Sequence, residues 1–162
     1  MNCLSLNICG TRNKNTQVDL FRIKAMWGNS NFDFACSSAR GMSGGILSVW
    51  DPNVFLKKRV VCSNNAVIVE GLWVASNFHY FMVNVYGPQD VNEKRELWAY
   101  LTGFMRRNGG NYCFFGDFNA VREESERYGT RFCQVIADGF NEFIDCLDLT
   151  EVPMVGEEIH EG

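Results

Sequence analysis

The sequence lacks features that mark several common classes of protein. It has no C-x-x-C pair and only two histidines, so a zinc site is disfavoured. No apolar run approaches the ~18 residues of a membrane helix, and the N-terminal MNCLSLNICG has no basic segment before a long apolar core, so no signal peptide is predicted. A formal net charge of −4 argues against a protein that coats nucleic acid. We expect an intracellular protein, nuclear or cytoplasmic and not secreted, with no membrane partner.

The cysteines support the same compartment. They are seven, an odd number, and most lie inside apolar runs. We therefore predict that they are small core residues in a reducing environment rather than a disulfide framework. They are Cys3, Cys9, Cys36, Cys62, Cys113, Cys133 and Cys146.

The pattern of apolar residues predicts one α/β domain. With 162 residues, of which 46% are hydrophobic and 14% aromatic, the chain is long and apolar enough for a sizeable core. Helices are predicted at Asp90–Arg107 and Gln134–Leu149, and a short helix or a turn is predicted at Asp19–Gly28. Strands are predicted in CLSLNI, FDFACSS, ILSVWD, VFLKKRVV, AVIVEGLWV, YFMVNVYGP and YCFFGD. Four strands in succession, followed by helix, strand and helix, indicate an α/β sandwich with mixed or antiparallel sheets.

The stretch NYCFFGDFNAVREESER, from Asn111 to Arg127, suggests chemistry. In an extended segment Asp117 and Asn119 face the same side, just past a buried strand. A carboxylate can orient water or bind magnesium, and an amide can bind a phosphate oxygen. Gly116 allows close approach of backbone or ligand. The alternative is an Asx-type turn, in which the same two residues only make local hydrogen bonds.

This stretch is one of several motifs that occur together. SLNICG, ARGMSGGILSVWDP, VNVYGP, KRELW and GDFNAVREESERYGT, in this order and spacing, resemble the endonuclease/exonuclease/phosphatase family. They resemble most the endonuclease domain at the start of plant LINE-type (non-LTR) retrotransposon polyproteins. The resemblance runs to about Pro153. It implies a four-layer sandwich of two β-sheets flanked by helices, and magnesium-dependent cleavage of phosphodiesters in DNA.

The resemblance also implies roles for particular residues. Asn7 looks like the asparagine that ends the family's first strand and helps to hold Mg²⁺. Tyr86 is similar to the family's phosphate-contacting tyrosine. Asp117 looks like the residue that binds the metal region and orients or deprotonates the attacking water. Asn119 looks like its phosphate-binding neighbour. The implied partner is the DNA phosphate backbone.

Two parts of the family pattern are missing. Relatives carry a metal-binding glutamate after their first helix and second strand, whereas no glutamate precedes Glu70 here. The stretch Thr11–Thr16 is too short for such a unit, since a crossover between parallel strands needs about a dozen residues. Relatives also end in Ser-Asp-His, which Glu157–Glu161 does not match. We therefore predict a partial domain over 1–153 and a divergent tail over 154–162.

These losses lead to three hypotheses of function. The first is an incomplete fold with exposed sheet edges that can self-associate, and with impaired nuclease activity. The second is a working magnesium phosphodiesterase in which Asp51 or Glu70 helps Asp117 to bind the metal; loss of metal binding in Asp117→Ala favours it. The third is a non-catalytic interaction module, which a DNA affinity dependent on salt but not on magnesium favours.

Overall fold

The predicted order of strands and helices is confirmed. A computed structural model describes residues 3–8, 20–38, 45–126 and 132–152, without the side chains of residues 3–8, 22, 38 and 126. The elements are β1 (Cys3–Ile8), α1 (Leu20–Trp27), β2 (Asp33–Ser38), β3 (Gly45–Trp50), β4 (Phe55–Cys62), β5 (Ala66–Trp73), β6 (Phe78–Tyr86), α2 (Val91–Arg107), β7 (Asn111–Asp117) and α3 (Gln134–Cys146). A 3₁₀ turn, Glu124–Glu126, lies between β7 and α3.

Within the described residues the strands form two sheets. Sheet A has the order β1–β3–β2 and is antiparallel throughout. Sheet B has the order β4–β5–β6–β7 and is antiparallel except where β6 and β7 run parallel. The parallel pair follows from the connection, because α2 carries the chain back along the sheet before β7 begins. The predicted mixed or antiparallel sheets are therefore confirmed.

The two sheets and their helices make four layers. Ile23 of α1 packs on Leu47 and Val49 of β3, which covers the outer face of sheet A. Side chains of both sheets meet in a central layer that includes Trp50 and Met82. The other face of sheet B is covered by α2 and α3. Strand β5 is buried on both faces, because its successive side chains alternate between the central layer and the helices.

Helix α2 forms where its capping and apolar signals agree. The Asp90 carboxylate accepts hydrogen bonds from the backbone N–H groups of Asn92 and Glu93, at 2.8 and 3.0 Å. Such an N-cap contributes about 1 kcal/mol. Two arginines close the last turn, where positive charge is favourable. The buried face of α2 includes Leu97, Trp98, Leu101 and Phe104, which recur at helical spacing.

An aromatic cluster joins α2 and α3 to the end of sheet B. The ring of Trp98 lies 4.8 Å from that of Phe143 and 5.4 Å from that of Phe140, measured between centroids. It also stacks on Phe118 at 6.1 Å. Because Phe118 immediately follows β7, this cluster anchors the chain where the strand ends.

The prediction that the cysteines are core residues is wrong for three of the five in the described ranges, whereas Cys113 packs, partly buried, against the central layer. Cys36, Cys62 and Cys146 are exposed, and Cys113 and Cys133 are partly exposed, all as free thiols. The reason is position: Cys36, Cys62 and Cys113 lie on outer strands of their sheets as described, where an apolar run is covered on fewer sides. Among the described helices, none has the length and apolar character required to cross a bilayer.

Candidate active site

The carboxyl ends of β6 and β7 lie side by side at one edge of sheet B, the edge that runs across the ends of the strands. The parallel register pairs Tyr86 with Asp117, so these two predicted site residues are neighbours across the strands. The end of β6 is also fixed on its other side, since the Tyr86 N–H donates to the Asn65 carbonyl at 2.9 Å and Asn65 Nδ2 donates to the Tyr86 carbonyl at 3.0 Å. Adjacent strands lie about 4.8 Å apart, which brings both side chains to the same place.

The alternation of side chains along each strand shows which face of sheet B Tyr86 and Asp117 share. Tyr86 and Phe115 pack in the central layer between the sheets. Because side chains two positions apart face the same side, Asp117 lies on the face of Phe115, toward sheet A. The Asp117 side chain is exposed to solvent at this edge. Phe118 packs on the opposite side, against the helices.

The link from Asp117 to Asn119 is a turn, and the expectation of an extended segment there is wrong. Strand β7 ends at Asp117, and Asn119 has a left-handed backbone with φ of 49°. Asp117 Oδ1 accepts a hydrogen bond from the Asn119 N–H at 2.9 Å, the bond of an Asx-type turn. The two residues are therefore brought together by this bond, and not by strand alternation.

Asn119 also closes the gap between β6 and β7. Its Nδ2 donates to the Gly87 carbonyl at 2.7 Å, and the Gly87 N–H donates to the Asp117 carbonyl at 2.7 Å. A side-chain amide has two N–H donors, and one of these is thus engaged within the protein. The resemblance assigns phosphate binding to Asn119. The second N–H of its side-chain amide is the donor left for that role.

Two glycines make this close approach possible. A Cβ placed on Gly87 would lie 1.9 Å from the Phe118 carbonyl oxygen, and one on Gly116 would lie 2.2 Å from that of Val85. Gly116 moreover has a φ of 115°, which disfavours every other residue. The prediction that Gly116 serves a close approach is confirmed, and the partner is the backbone of β6.

The residues at this edge do not make a complete magnesium site. Mg²⁺ is bound by oxygen ligands and in enzymes takes one or two carboxylates besides water and substrate phosphates. Asp117 supplies one carboxylate. In the described ranges no three His, Cys, Asp or Glu side chains come together as metal ligands would. Asn7 pairs with Ile46 near the end of β1, and its side chain lies outside the description. The donor set that the described side chains offer at this edge therefore does not fit the ion that the resemblance implies.

Neither carboxylate suggested as a substitute lies near the site: Glu70 is remote from Asp117, and Asp51 is remote from Asn7. Glu70 pairs with Phe81, which pairs with Tyr112, five positions before Asp117 on β7. At ~3.3 Å per residue this separates Glu70 and Asp117 by about 17 Å along the strand direction, and two strand spacings of ~4.8 Å add to the distance. Asp51 follows β3 at the end where Trp50 pairs with Cys3, the end of β1 opposite Asn7. Its Oδ1 accepts from the Asn53 N–H at 2.8 Å. Neither completes a site with Asp117.

Glu70 is instead the centre of an ion cluster. Its side chain is only 9% exposed, and its oxygens lie 3.1 Å from Lys58 Nζ, 2.7 Å from Arg59 Nε and 3.0 Å from His79 Nε2. Burial by itself raises the pKa of such a carboxyl, but hydrogen bonds from Lys58, Arg59 and His79 outweigh it and hold the pKa of Glu70 below its ordinary value. A cavity of about 490 Å³ opens beside Glu70 and the two cations.

This cluster predicts that the stability of the fold decreases at acidic pH. We expect Glu70→Gln to lower the free energy of unfolding at pH 7 by about 2 kcal/mol, because hydrogen bonds to a charged group are lost. Since the folded-state pKa is depressed, the stabilisation is present above the unfolded pKa of about 4.3 and is lost as pH falls through the folded pKa. Urea unfolding at pH 7, 5 and 3.5 measures the difference.

The control for this prediction is Glu96→Gln, which removes the same charge from an exposed position on α2. Its effect should stay within about 0.5 kcal/mol at every pH. A constant difference between wild type and Glu70→Gln down to pH 3.5 would contradict the role assigned to the Glu70 carboxylate.

Other buried polar residues support the site and had not been predicted. Lys94 is 2% exposed; its Nζ donates to the Pro88 carbonyl and lies 3.4 Å from that of Gln89. It thereby holds the segment that follows Gly87. Asn84 is 1% exposed, and its Nδ2 donates to the Leu47 carbonyl and Ser48 Oγ of the facing sheet at 3.1 and 3.0 Å. Lys94 lies at helical spacing on the apolar face of α2, and Asn84 lies at strand spacing on an apolar face of β6. These positions were the signal in the sequence that both residues are buried.

Arg122, which follows the site turn in the sequence, is engaged within the protein. Its Nε donates to Asn141 Oδ1 at 2.8 Å, and Asn141 Nδ2 donates to the Arg122 carbonyl at 3.1 Å. These bonds tie the segment after the site to α3. Arg127, the stretch Thr11–Thr16 and the tail 154–162 lie outside the described residues.

Solved structures share this fold at low sequence identity. Neither a protein-family model nor a curated protein matches the sequence. Truncated TDP2 of Caenorhabditis elegans superposes with a TM-score of 0.52 and 16% identity, over 80% of this chain and 53% of that one. The AP endonuclease LMAP of Leishmania major does so with 0.55 and 12%, over 79% and 53%. The human Nocturnin catalytic domain, solved with a bound sulfate, does so with 0.55 and 12%, over 88% and 55%.

These similarities establish the architecture. The three proteins have the endonuclease/exonuclease/phosphatase fold, and this chain shares their architecture, so the predicted two-sheet sandwich flanked by helices is confirmed. The chain spans about half the length of each of them.

Proposed function

We propose that this chain is part of a magnesium-dependent, phosphodiester-cleaving endonuclease domain of retrotransposon origin, and that its own catalytic activity is impaired. The nuclease-like fold supports the first half of the proposal. The motifs SGGILSVWDP and GDFNAVREESERYGT, which resemble those of plant LINE-type endonucleases, support the origin. In this proposal the domain is the partial one over 1–153.

One observation supports the impairment most directly: among the described residues, no second carboxylate comes together with Asp117 as a metal ligand would. No glutamate precedes Glu70 anywhere in the sequence, and Glu70 is engaged with Lys58, Arg59 and His79 at the far end of sheet B. The remaining early carboxylate considered, Asp51, lies at the wrong end of β3. A hydrolase of phosphodiesters must neutralise charge on the phosphoryl group and activate water. Losing ligands for this purpose typically costs several orders of magnitude in rate.

The residues that remain would still contact a phosphate. Tyr86 and Asp117 are neighbours at an open edge, and the turn to Asn119 adds amide groups there. In the proposed function Tyr86 and Asn119 contact the phosphate, and Asp117 orients water or a weakly held Mg²⁺. Without further metal ligands, this arrangement is better suited to bind a phosphate than to cleave a phosphodiester.

Nicking of supercoiled plasmid tests the proposal. We expect the purified chain in 5–10 mM Mg²⁺, a range chosen as roughly saturating for weak sites, to nick no faster than the chain in chelator. Asp117→Ala should be indistinguishable from wild type. A known magnesium-dependent nuclease in the same buffer is the positive control, and circular dichroism shows that both proteins are folded.

Magnesium-dependent nicks that disappear in Asp117→Ala and persist in Asp51→Ala would overturn the impairment and show a working site with an unassigned ligand. A transcript that contains an additional helix and strand after Ile8 would overturn the claim that the glutamate has been lost from the gene.

A further inference from the structure

Helix α2 carries a lysine where its packing requires only an apolar residue. Lys94 lies three residues before Leu97 and four before Trp98, on the buried face of the helix, and is only 2% exposed. Removal of an ammonium group from water is costly unless hydrogen bonds compensate for it. A leucine or a methionine would fill the position without this cost, so the reason for a lysine lies in what its N–H groups bind.

The Lys94 ammonium binds the connection between β6 and α2. Its Nζ donates to the Pro88 carbonyl and lies 3.4 Å from the Gln89 carbonyl oxygen. Gly87 and Pro88 are buried, and a buried carbonyl requires a donor. Lys94 therefore supplies the donor that the Pro88 carbonyl needs, from within the helix that follows.

The same connection holds the turn that follows β7. The Gly87 carbonyl accepts from Asn119 Nδ2 at 2.7 Å, and the Gly87 N–H donates to the Asp117 carbonyl at 2.7 Å. At the other end of the connection the Lys94 N–H donates to the Asp90 carbonyl at 3.0 Å, where α2 begins. Gly87 is thus fixed between the turn on one side and the carbonyl bound by the Lys94 ammonium on the other.

We propose that Lys94 is a positioning residue for the phosphate contact of Asn119. The proposal rests on the proposed function, in which Asn119 contacts a phosphate. The two N–H groups of a side-chain amide lie in one plane, so the bond from Asn119 to the Gly87 carbonyl determines where the second N–H points. Because Lys94 fixes the Pro88 carbonyl, it also fixes the neighbouring Gly87, and through Gly87 the direction of that second N–H.

The alternative is that Lys94 only stabilises the fold, and Asn84 separates the two roles. Asn84 Nδ2 donates to the Leu47 carbonyl and to Ser48 Oγ at 3.1 and 3.0 Å, on the face of sheet B opposite α2. A loss of stability alone would affect the side-chain amides of Asn84 and Asn119 alike. Loss of a positioning contact would affect Asn119 and leave Asn84 as it is.

NMR spectra of the side-chain amides test the proposal. Lys94→Met keeps an unbranched apolar side chain and removes its N–H donors. We expect it to shift the Asn119 side-chain signals and to speed their hydrogen exchange by roughly tenfold, because the bond to Gly87 is weakened. The Asn84 signals should stay unchanged in the same spectrum. Asn119→Asp, which lacks the amide nitrogen, identifies the Asn119 signals.

Two further variants make the result specific. Lys94→Arg retains N–H donors at the buried position and should keep the Asn119 signals closer to those of the wild type than Lys94→Met does. Arg95→Met removes the same charge from the adjacent, exposed position of α2 and should leave them unchanged. Circular dichroism and urea unfolding show which variants are folded. If Lys94→Met is not, Lys94→Gln, which keeps two donors, takes its place with a smaller expected shift.

Inorganic phosphate distinguishes a failure of this proposal from a failure of the proposed function. At constant ionic strength, we expect phosphate to shift the Asn119 side-chain signals of the wild type. Its dissociation constant should be roughly tenfold higher in Lys94→Met, because a hydrogen bond to a charged group is weakened. Wild-type Asn119 signals that respond to Lys94→Met and not to phosphate would overturn the phosphate contact in the proposed function, and would leave the coupling of Lys94 to Asn119 in place.

Three results would overturn the coupling itself. The first is unchanged Asn119 signals in folded Lys94→Met. The second is equal changes at Asn119 and Asn84, which would assign Lys94 a role in stability alone. The third is equal changes in Arg95→Met and Lys94→Met, which would attribute the effect to the charge of the helix.

Discussion

Gly116→Ala is expected to lower the free energy of unfolding by more than about 3 kcal/mol. Two costs combine at this position. The backbone has a φ of 115°, where a residue with a Cβ is strained, and the new Cβ would lie 2.2 Å from the Val85 carbonyl oxygen and 2.8 Å from Asn84 Oδ1. The first of these atoms is backbone of a paired strand and cannot move without breaking the β6–β7 register. Unfolding in urea, monitored by tryptophan fluorescence, measures the loss.

Two other glycines serve as matched controls. Gly109 lies just before β7, and a Cβ there meets no atom within 4 Å, so Gly109→Ala should change stability by less than about 0.5 kcal/mol. Gly139 lies inside α3 with the same open space, so Gly139→Ala should stabilise by about 0.5–1 kcal/mol through helix propensity. A Gly116→Ala variant as stable as these two would contradict the close approach of β6 and β7.

Trp98→Ala is expected to cost about 3–5 kcal/mol, the usual range for deletion of a buried aromatic ring. Trp98 is 6% exposed and packs against Phe118, Phe140 and Phe143. Its loss leaves a cavity between α2, α3 and the residue that follows Asp117. The turn from Asp117 to Asn119 should therefore be destabilised together with the fold. Amide hydrogen exchange would show this as a loss of protection of the Asn119 N–H at a given denaturant concentration.

The matched control is Tyr100→Ala on the same helix. Tyr100 is 36% exposed, so removal of its ring should cost less than about 1 kcal/mol. Equal losses for the two variants would contradict the assignment of Trp98 to the core that anchors Phe118.

The fold was predictable because several independent signals agree along the chain. Asp90 caps α2, and Leu97, Trp98 and Leu101 recur at helical spacing behind it. The strands of sheet B are apolar runs separated by turn residues, and β5 in particular reads as a strand buried on both faces. Such local signals determine the type and order of elements, which is why the two-sheet architecture followed from them.

The site was only partly predictable, because it depends on contacts between distant residues. Asp117 and Tyr86 could be placed at strand ends, but the left-handed Asn119 and its bond to Gly87 follow from the meeting of β6 and β7. Glu70 could not be placed either. It lies amid apolar residues of β5, and only the pairing with β4 and β6 supplies Arg59 and His79. Pairing across strands is not encoded in any short window of sequence.

The turn after β7 bears on how chains of this kind are recognised. Gly116 is required by the backbone of Val85, Asp117 accepts the N–H of Asn119, Phe118 fills the aromatic cluster, and Asn119 binds the Gly87 carbonyl. Each letter of Gly-Asp-Phe-Asn thus has a reason in folding that holds without any reaction. The architecture alone therefore accounts for the tetrapeptide in this chain. A carboxylate on a second strand, within reach of the same metal ion, is what would diagnose the enzyme.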